Sequence, residues 1–203
     1  MNSSRYTLSF TGARLQRAES VALAELFRED EDWDQVRREA EEGNILQVRT
    51  LSSAKRVARE LVFRLQELSA RELELLVSGS QEDQNHLLWV AICRRYRLIA
   101  EFALEVVRER FLSLGVPLEL ADFDAFYFRK ADWHEELDKL KPVTRKKLRQ
   151  VLFGMLRDAG LINDQGAINP VLLSSEVREA IAETRPDDLR LFPMFETDLA
   201  RRA

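Results

Sequence analysis

The chain of 203 residues has one cysteine, two histidines, seven glycines and five prolines. A single cysteine excludes an intramolecular disulfide and every multi-cysteine metal site. The histidines, His86 and His134, are far apart and form no HExxH pair, which leaves most zinc chemistry without ligands. So few glycines and prolines leave little material for hairpins or phosphate cradles, and neither GxxxxGK[ST] nor GxGxxG occurs. The longest uninterrupted apolar run is Leu87–Cys93, and Arg94 and Arg95 follow at once. A bilayer span needs roughly 20 apolar residues, so no transmembrane helix is expected. The start MNSSRYTLSF has no apolar export core, which with the single thiol points to the cytoplasm.

What is present is the balance of a soluble globular protein: 45% hydrophobic and 33% charged residues. The formal charge is −4 but its distribution is uneven. Residues 29–42 carry eight acids against two arginines. Residues 139–149 carry six basic residues and no acid, and residues 49–66 are basic apart from Glu60. Local field governs association with polyanions more than the total charge does, so a strongly polarised surface is expected. Neutralisation of the arginines by the acidic stretch is the competing expectation.

Apolar spacing predicts an all-α fold. After an extended arm or a short edge segment at residues 5–11, helices are expected over 13–28, from Trp33 behind Asp32, and from a Ser52/Ser53 cap to Leu68. Val57, Leu61, Leu65 and Leu68 form the buried stripe of that third helix. Ser69-x-x-Glu72 is a capping-box pattern for the next. Residues 81–114 contain no glycine or proline and predict a spine roughly 50 Å long, with Arg94–Arg97 as its candidate break. Asp122 is the expected cap of a helix through Phe123, Phe126 and Tyr127. Pro142 fits a first helical turn, and Leu148, Val151, Leu152, Met155 and Leu156 face inward until Gly160. LINDQGAIN predicts two very short strands around Asp164–Gln165–Gly166, and Ser174/Ser175 a last cap. Leu191, Phe192 and Phe195 are the only anchors expected for the tail. The predicted arrangement is two small helical subdomains, residues 1–115 and 116–203, joined by the long central helix, with a winged-helix-like hairpin in the second.

No residue presents itself as catalytic, and no cofactor or metal is expected. Cys93 sits in the apolar run as a small core residue. His134, beside Glu135 and Glu136, fits a surface or helix-capping side chain better than a general base. The acids of residues 29–42 lack the glycine of a calcium loop. Two basic helix starts are the candidate DNA-binding residues: Arg49, Ser52, Ser53, Lys55, Arg56 and Arg59 in the first, and Thr144, Arg145, Lys146, Lys147 and Arg149 in the second. Hydroxyls and cations at a helix start suit phosphate oxygens. A basic helix followed by a tight hairpin is also the order of winged-helix domains, although protein-interaction modules share it.

The stretches YTLSFTGARL, SSAKRVARELVFRLQEL, LLWVAICRRYRLIAEFALEVVRERF, DFDAFYFRKADWHEELDKL and TRKKLRQVLFGMLRDAGLI resemble the BrxA family of bacteriophage-exclusion (BREX) defence systems. The likeness runs in order over about residues 5–170. It implies an all-helical, non-enzymatic protein that binds double-stranded DNA, acting beside a methyltransferase, an ATPase and a phosphatase-like protein; no membrane partner is expected, for the span-length reason above. It also implies a partial likeness to the antitermination factor NusB. The remaining alternative is an adaptor that docks other defence proteins without touching nucleic acid.

Overall fold

Buried apolar side chains from Tyr6 to Met194 form one core, packed by helices throughout. The structure is a computed structural model that describes residues 5–42, 45–46, 50–113 and 116–199. In chain order the helices are α1 (Arg17–Asp30), α2 (Trp33–Glu42), α3 (Leu51–Leu65), α4 (Ala70–Ser78), α5 (Gln81–Arg95) and α6 (Arg97–Phe102). A π-helical turn, Ala103–Arg108, continues α6 into α7 (Glu109–Leu112). Then come α8 (Leu120–Ala131), α9 (Glu135–Asp138), α10 (Pro142–Asp158), α11 (Ser175–Thr184) and α12 (Glu196–Leu199).

The apolar run Leu87–Cys93 is buried on every side within α5. A helix that is apolar all round belongs in a core, and α5 packs against α1, α3, α4 and α6. Among the described residues, no helix is long and apolar enough to cross a membrane. Burial also pushes the Cys93 thiol well up.

The spine expected over 81–114 breaks at Tyr96, whose backbone is extended. The break turns the Tyr96 ring toward the arm, against Phe10 at 5.2 Å, and its hydroxyl donates to Glu60. Burial, with the Glu60 carboxylate beside it, pushes the Tyr96 phenol up to about 12. Arg64 turns inward as well. It donates to Glu60 at 3.0 Å and to the Arg14 and Ala13 carbonyls at 2.6 and 3.0 Å, so it leaves the basic face. The arm is therefore part of the core, with Tyr6 and Phe10 buried and a 3-10 turn over Ser9–Gly12.

Helix starts follow local chemistry. Ser69 with Glu72, and Ser80 with Asp83, close full capping boxes, and Ser174 caps α11. Two expected caps differ. Thr50, rather than Ser52 or Ser53, caps α3, because its hydroxyl accepts the Ser53 amide. Asp122 is the third residue of α8 and reaches back to the Glu119 amide at 2.7 Å.

The hairpin is smaller than expected. Among the described residues the two short strands reduce to one antiparallel bridge, Ile162 to Ile168. Asn163 Oδ1 accepts the Gln165 and Ala167 amides, and Gly166 takes the left-handed region at φ 81°. The Gly166 carbonyl accepts the Leu118 amide at 2.7 Å. That bond ties the turn to the entry to α8, with Asn163, Asp164 and Gln165 exposed at its tip.

The tail is anchored by more than its own side chains. Leu191 and Phe192 are buried, while Phe195 is half exposed against Phe111. Trp89 donates to the Leu191 carbonyl, and Arg108 to those of Phe192 and Met194. Arg94 joins α5 to both α4 and the tail. It forms a two-point bond to Glu72 at 2.7 Å and a bond to Asp188 at 2.6 Å.

Candidate nucleic-acid interface

Helix α3 buries Val57, Leu61 and Leu65 on one side, which pushes Lys55, Arg56 and Arg59 to the other. These three and Ser52 line a shallow groove of about 530 Å³, closed by Arg37 and Glu41 of α2 and by Phe63. Arg37 is paired with Asp34 at 3.0 Å. Lys55, Arg56 and Arg59 have no carboxylate within ion-pair distance among the described residues. Among the described residues no carboxylate of α2 forms an ion pair with these three side chains, although the two helices pack together and Glu41 lines the groove. The Arg56 guanidinium lies over Gly12, where a Cβ would meet Nη1 at 3.2 Å. At the start of the helix the Thr50 hydroxyl donates to Ser53 Oγ at 2.9 Å and lies 3.3 Å from the hydroxyl of the exposed Ser52, so both serines are engaged locally. Arg49 lies outside the described residues.

Helix α10 divides its predicted contacts. Lys146 and Lys147 are exposed and without an ion pair among the described residues. Arg145 lies over the rings of Phe128 and Tyr127, 4.6 and 5.8 Å from their centroids. Its face is covered, but guanidinium donors lie in the plane, so its edge stays open to an acceptor. Arg149 is an ion pair with Asp124 of α8 and drops out of the basic surface. Thr144 is half-buried and its amide is spent on the Lys141 carbonyl at 2.9 Å. Pro142 brings no N–H, so the first turn of α10 is a poorer phosphate cradle than its sequence suggests.

His134 is buried, not superficial. Its ring lies 4.3 Å from that of Tyr6, and Nδ1 is 3.3 Å from Glu136. Both basic helices pack against the Ser9–Gly12 turn, which places the arm between them. Arg37, Phe63 and Phe128 also belong to these surfaces and were not expected there, and Arg95 lies against Phe63. Arg95 and Phe63 meet only because α5 crosses α3.

The fold defines an all-helical protein with unpaired cations exposed near the starts of two helices, and with no group of metal-ligating side chains among the described residues. The sequence profile of the BrxA family matches residues 4–185, and the chain belongs to that family. It is 31% identical over 165 residues to "BREX protein BrxA" of Bacillus cereus (strain H3081.97), covering 80% of each chain. To the "BREX protein BrxA" of Escherichia coli O9:H4 (strain HS) it is 26% identical, over 75% of this chain and 71% of that one. To that of Paramagnetospirillum magneticum it is also 26% identical, over 88% of this chain and 91% of the other. The crystal structure of an uncharacterized protein from Magnetospirillum magneticum shares the fold, with a TM-score of 0.83, 23% identity, and coverage of 94% of this chain and 100% of that one.

Proposed function

We propose that this chain is a non-enzymatic, double-stranded-DNA-binding accessory protein of BREX phage defence. It holds the duplex by phosphate contacts, with α3 as the primary surface and the start of α10 as the second. The observation that carries this reading is the groove of Ser52, Lys55, Arg56 and Arg59, three cations and a hydroxyl on one helix face without carboxylate partners among the described residues. Such contacts position a duplex without reading its sequence. With Lys55, Arg56, Arg59, Arg145, Lys146 and Lys147 each neutralising a phosphate, log K falls against log[salt] with a slope of about −5. A fluorescence-anisotropy titration with a labelled duplex across a salt series tests it. No binding at low salt overturns the reading.

The second reading is an adaptor that docks other BREX proteins. It is favoured by large apolar side chains that phosphate binding does not use: Trp133 is 84% exposed and Val143 is 75% exposed. A stoichiometric complex with another BREX protein that survives nuclease treatment supports this role. The two roles use different residues and are compatible.

A further inference from the structure

Phe63 of α3 has two guanidinium groups against its ring. Arg59, one turn earlier on the same helix, lies 5.3 Å from the centroid. Arg95, the last residue of α5, lies 4.7 Å from it. The two arginines come from different helices, and the packing of α5 on α3 sets both against the same ring. Arg59 and Phe63 both line the basic groove.

We propose that Arg95 is a further DNA-backbone contact and that Phe63 is a positioning residue, which gathers Arg59 and Arg95 into one phosphate-binding edge spanning α3 and α5. The proposal rests on the duplex-binding reading above. Three features carry it. A ring holds a guanidinium by its face and leaves the in-plane N–H groups available, whereas an ion pair consumes them. Arg95 has one carboxylate near it, Glu67, at a loose 4.0 Å, and its side chain keeps 32% exposure. Its Nε is buried without an acceptor among the described residues, so the terminal guanidinium nitrogens are the donors that can face a phosphate, and they are held only by the loose Glu67 contact. Neighbouring arginines behave otherwise: Arg94 is consumed by Glu72 and Asp188, and Arg64 by Glu60 and two carbonyls. Arg95 is thus the cation of α5 held against Phe63, a residue that lines the groove. Fixing two flexible side chains in advance reduces the ordering cost of binding.

The test uses the full chain and a labelled duplex of about 25 base pairs, with anisotropy titrations from 50 mM to 200 mM salt and a melting curve for every variant. Arg95→Gln is expected to melt like the wild type, to lose about 0.9 from the salt slope, and to bind about fivefold more weakly at 0.15 M salt. Phe63→Leu keeps an apolar side chain but no aromatic face, and it is expected to weaken binding. Phe63→Trp restores the face and is expected to recover affinity. Arg95→Gln binding with unchanged slope overturns the proposal for Arg95. Phe63→Leu binding like the wild type, or Phe63→Trp failing alongside it, overturns the positioning role. Should Phe63→Leu not fold, Arg95→Gln and Phe63→Trp still decide. Wild-type protein that does not bind duplex at 50 mM salt overturns the parent reading instead, which separates the two failures.

Discussion

Removing Arg94 tests the energetics of the fold most sharply. Its guanidinium makes two bonds to Glu72 at 2.7 Å, one to Asp188 at 2.6 Å and one to the Glu67 carbonyl at 2.9 Å. The Arg94 and Glu72 side chains are 1% and 0% exposed. Arg94→Met keeps the apolar stem and leaves the Glu72 carboxylate buried without its counter-ion. Breaking a buried pair in this way costs about 3–5 kcal/mol. For a chain of this size each kcal/mol moves the midpoint by about 2–4 °C, so a fall of about 6–20 °C in Tm is expected. The double variant Glu72→Leu/Arg94→Met removes both charges and leaves Asp188, which is 17% exposed and can take up water. It is expected to recover at least half of the loss, since replacing a whole buried pair is often neutral. Urea denaturation of the wild type, both single variants and the double variant gives the coupling directly. A loss below about 1 kcal/mol for Arg94→Met, or additive single effects, refutes the reasoning.

Other expectations are smaller but equally definite. Burial holds the His86 imidazole below its ordinary value, so the folded state keeps it neutral while the unfolded chain takes up a proton as pH falls through the ordinary histidine range. Stability therefore declines on acidification from pH 7 to 5, by at most about 1.4 kcal/mol per pH unit from this group. His86→Leu is expected to flatten that limb, and parallel curves would count against it. Gly166→Ala places a Cβ 2.4 Å from the Leu118 carbonyl at φ 81°, and is expected to cost at least about 1–3 kcal/mol by urea denaturation. Gly160→Ala has the same backbone sign but open space around it, so its loss is only about 1 kcal/mol; equal effects would contradict the clash. Arg149→Gln releases Asp124 and is expected to change thermal stability by less than about 1 kcal/mol, with duplex affinity unchanged within twofold. A loss of salt slope in that variant would return Arg149 to the interface.

Much of the helical frame was legible because it depends on neighbours in sequence. The stripe Val57, Leu61, Leu65 and Leu68 is buried as its spacing requires, and the Ser69–Glu72 box closes as its residues allow. The chain break falls within the expected Arg94–Arg97 segment. What periodicity does not report is which charge meets which carboxylate. Arg64, Arg94 and Arg149 look alike to a helical-wheel argument, yet each is consumed, and Arg149 meets Asp124 only through the packing of α10 on α8. The arm was read as extended because RYTLSFT alternates. Its tertiary contacts, Tyr6 on His134 and Phe10 on Tyr96, turn it into core. The hairpin shrank for a similar reason, since Gly166 bonds to Leu118 rather than lengthening a ladder.

The most direct test of the central claim is duplex binding by the full chain carrying Lys55→Gln, Arg56→Gln and Arg59→Gln together, titrated with salt beside the wild type. If α3 is the primary phosphate surface, the wild type binds at 50 mM salt and the triple variant loses about 2.7 of the slope of log K against log[salt]. A triple variant with the wild-type slope, or a wild type that leaves the duplex free at 50 mM salt, contradicts the account.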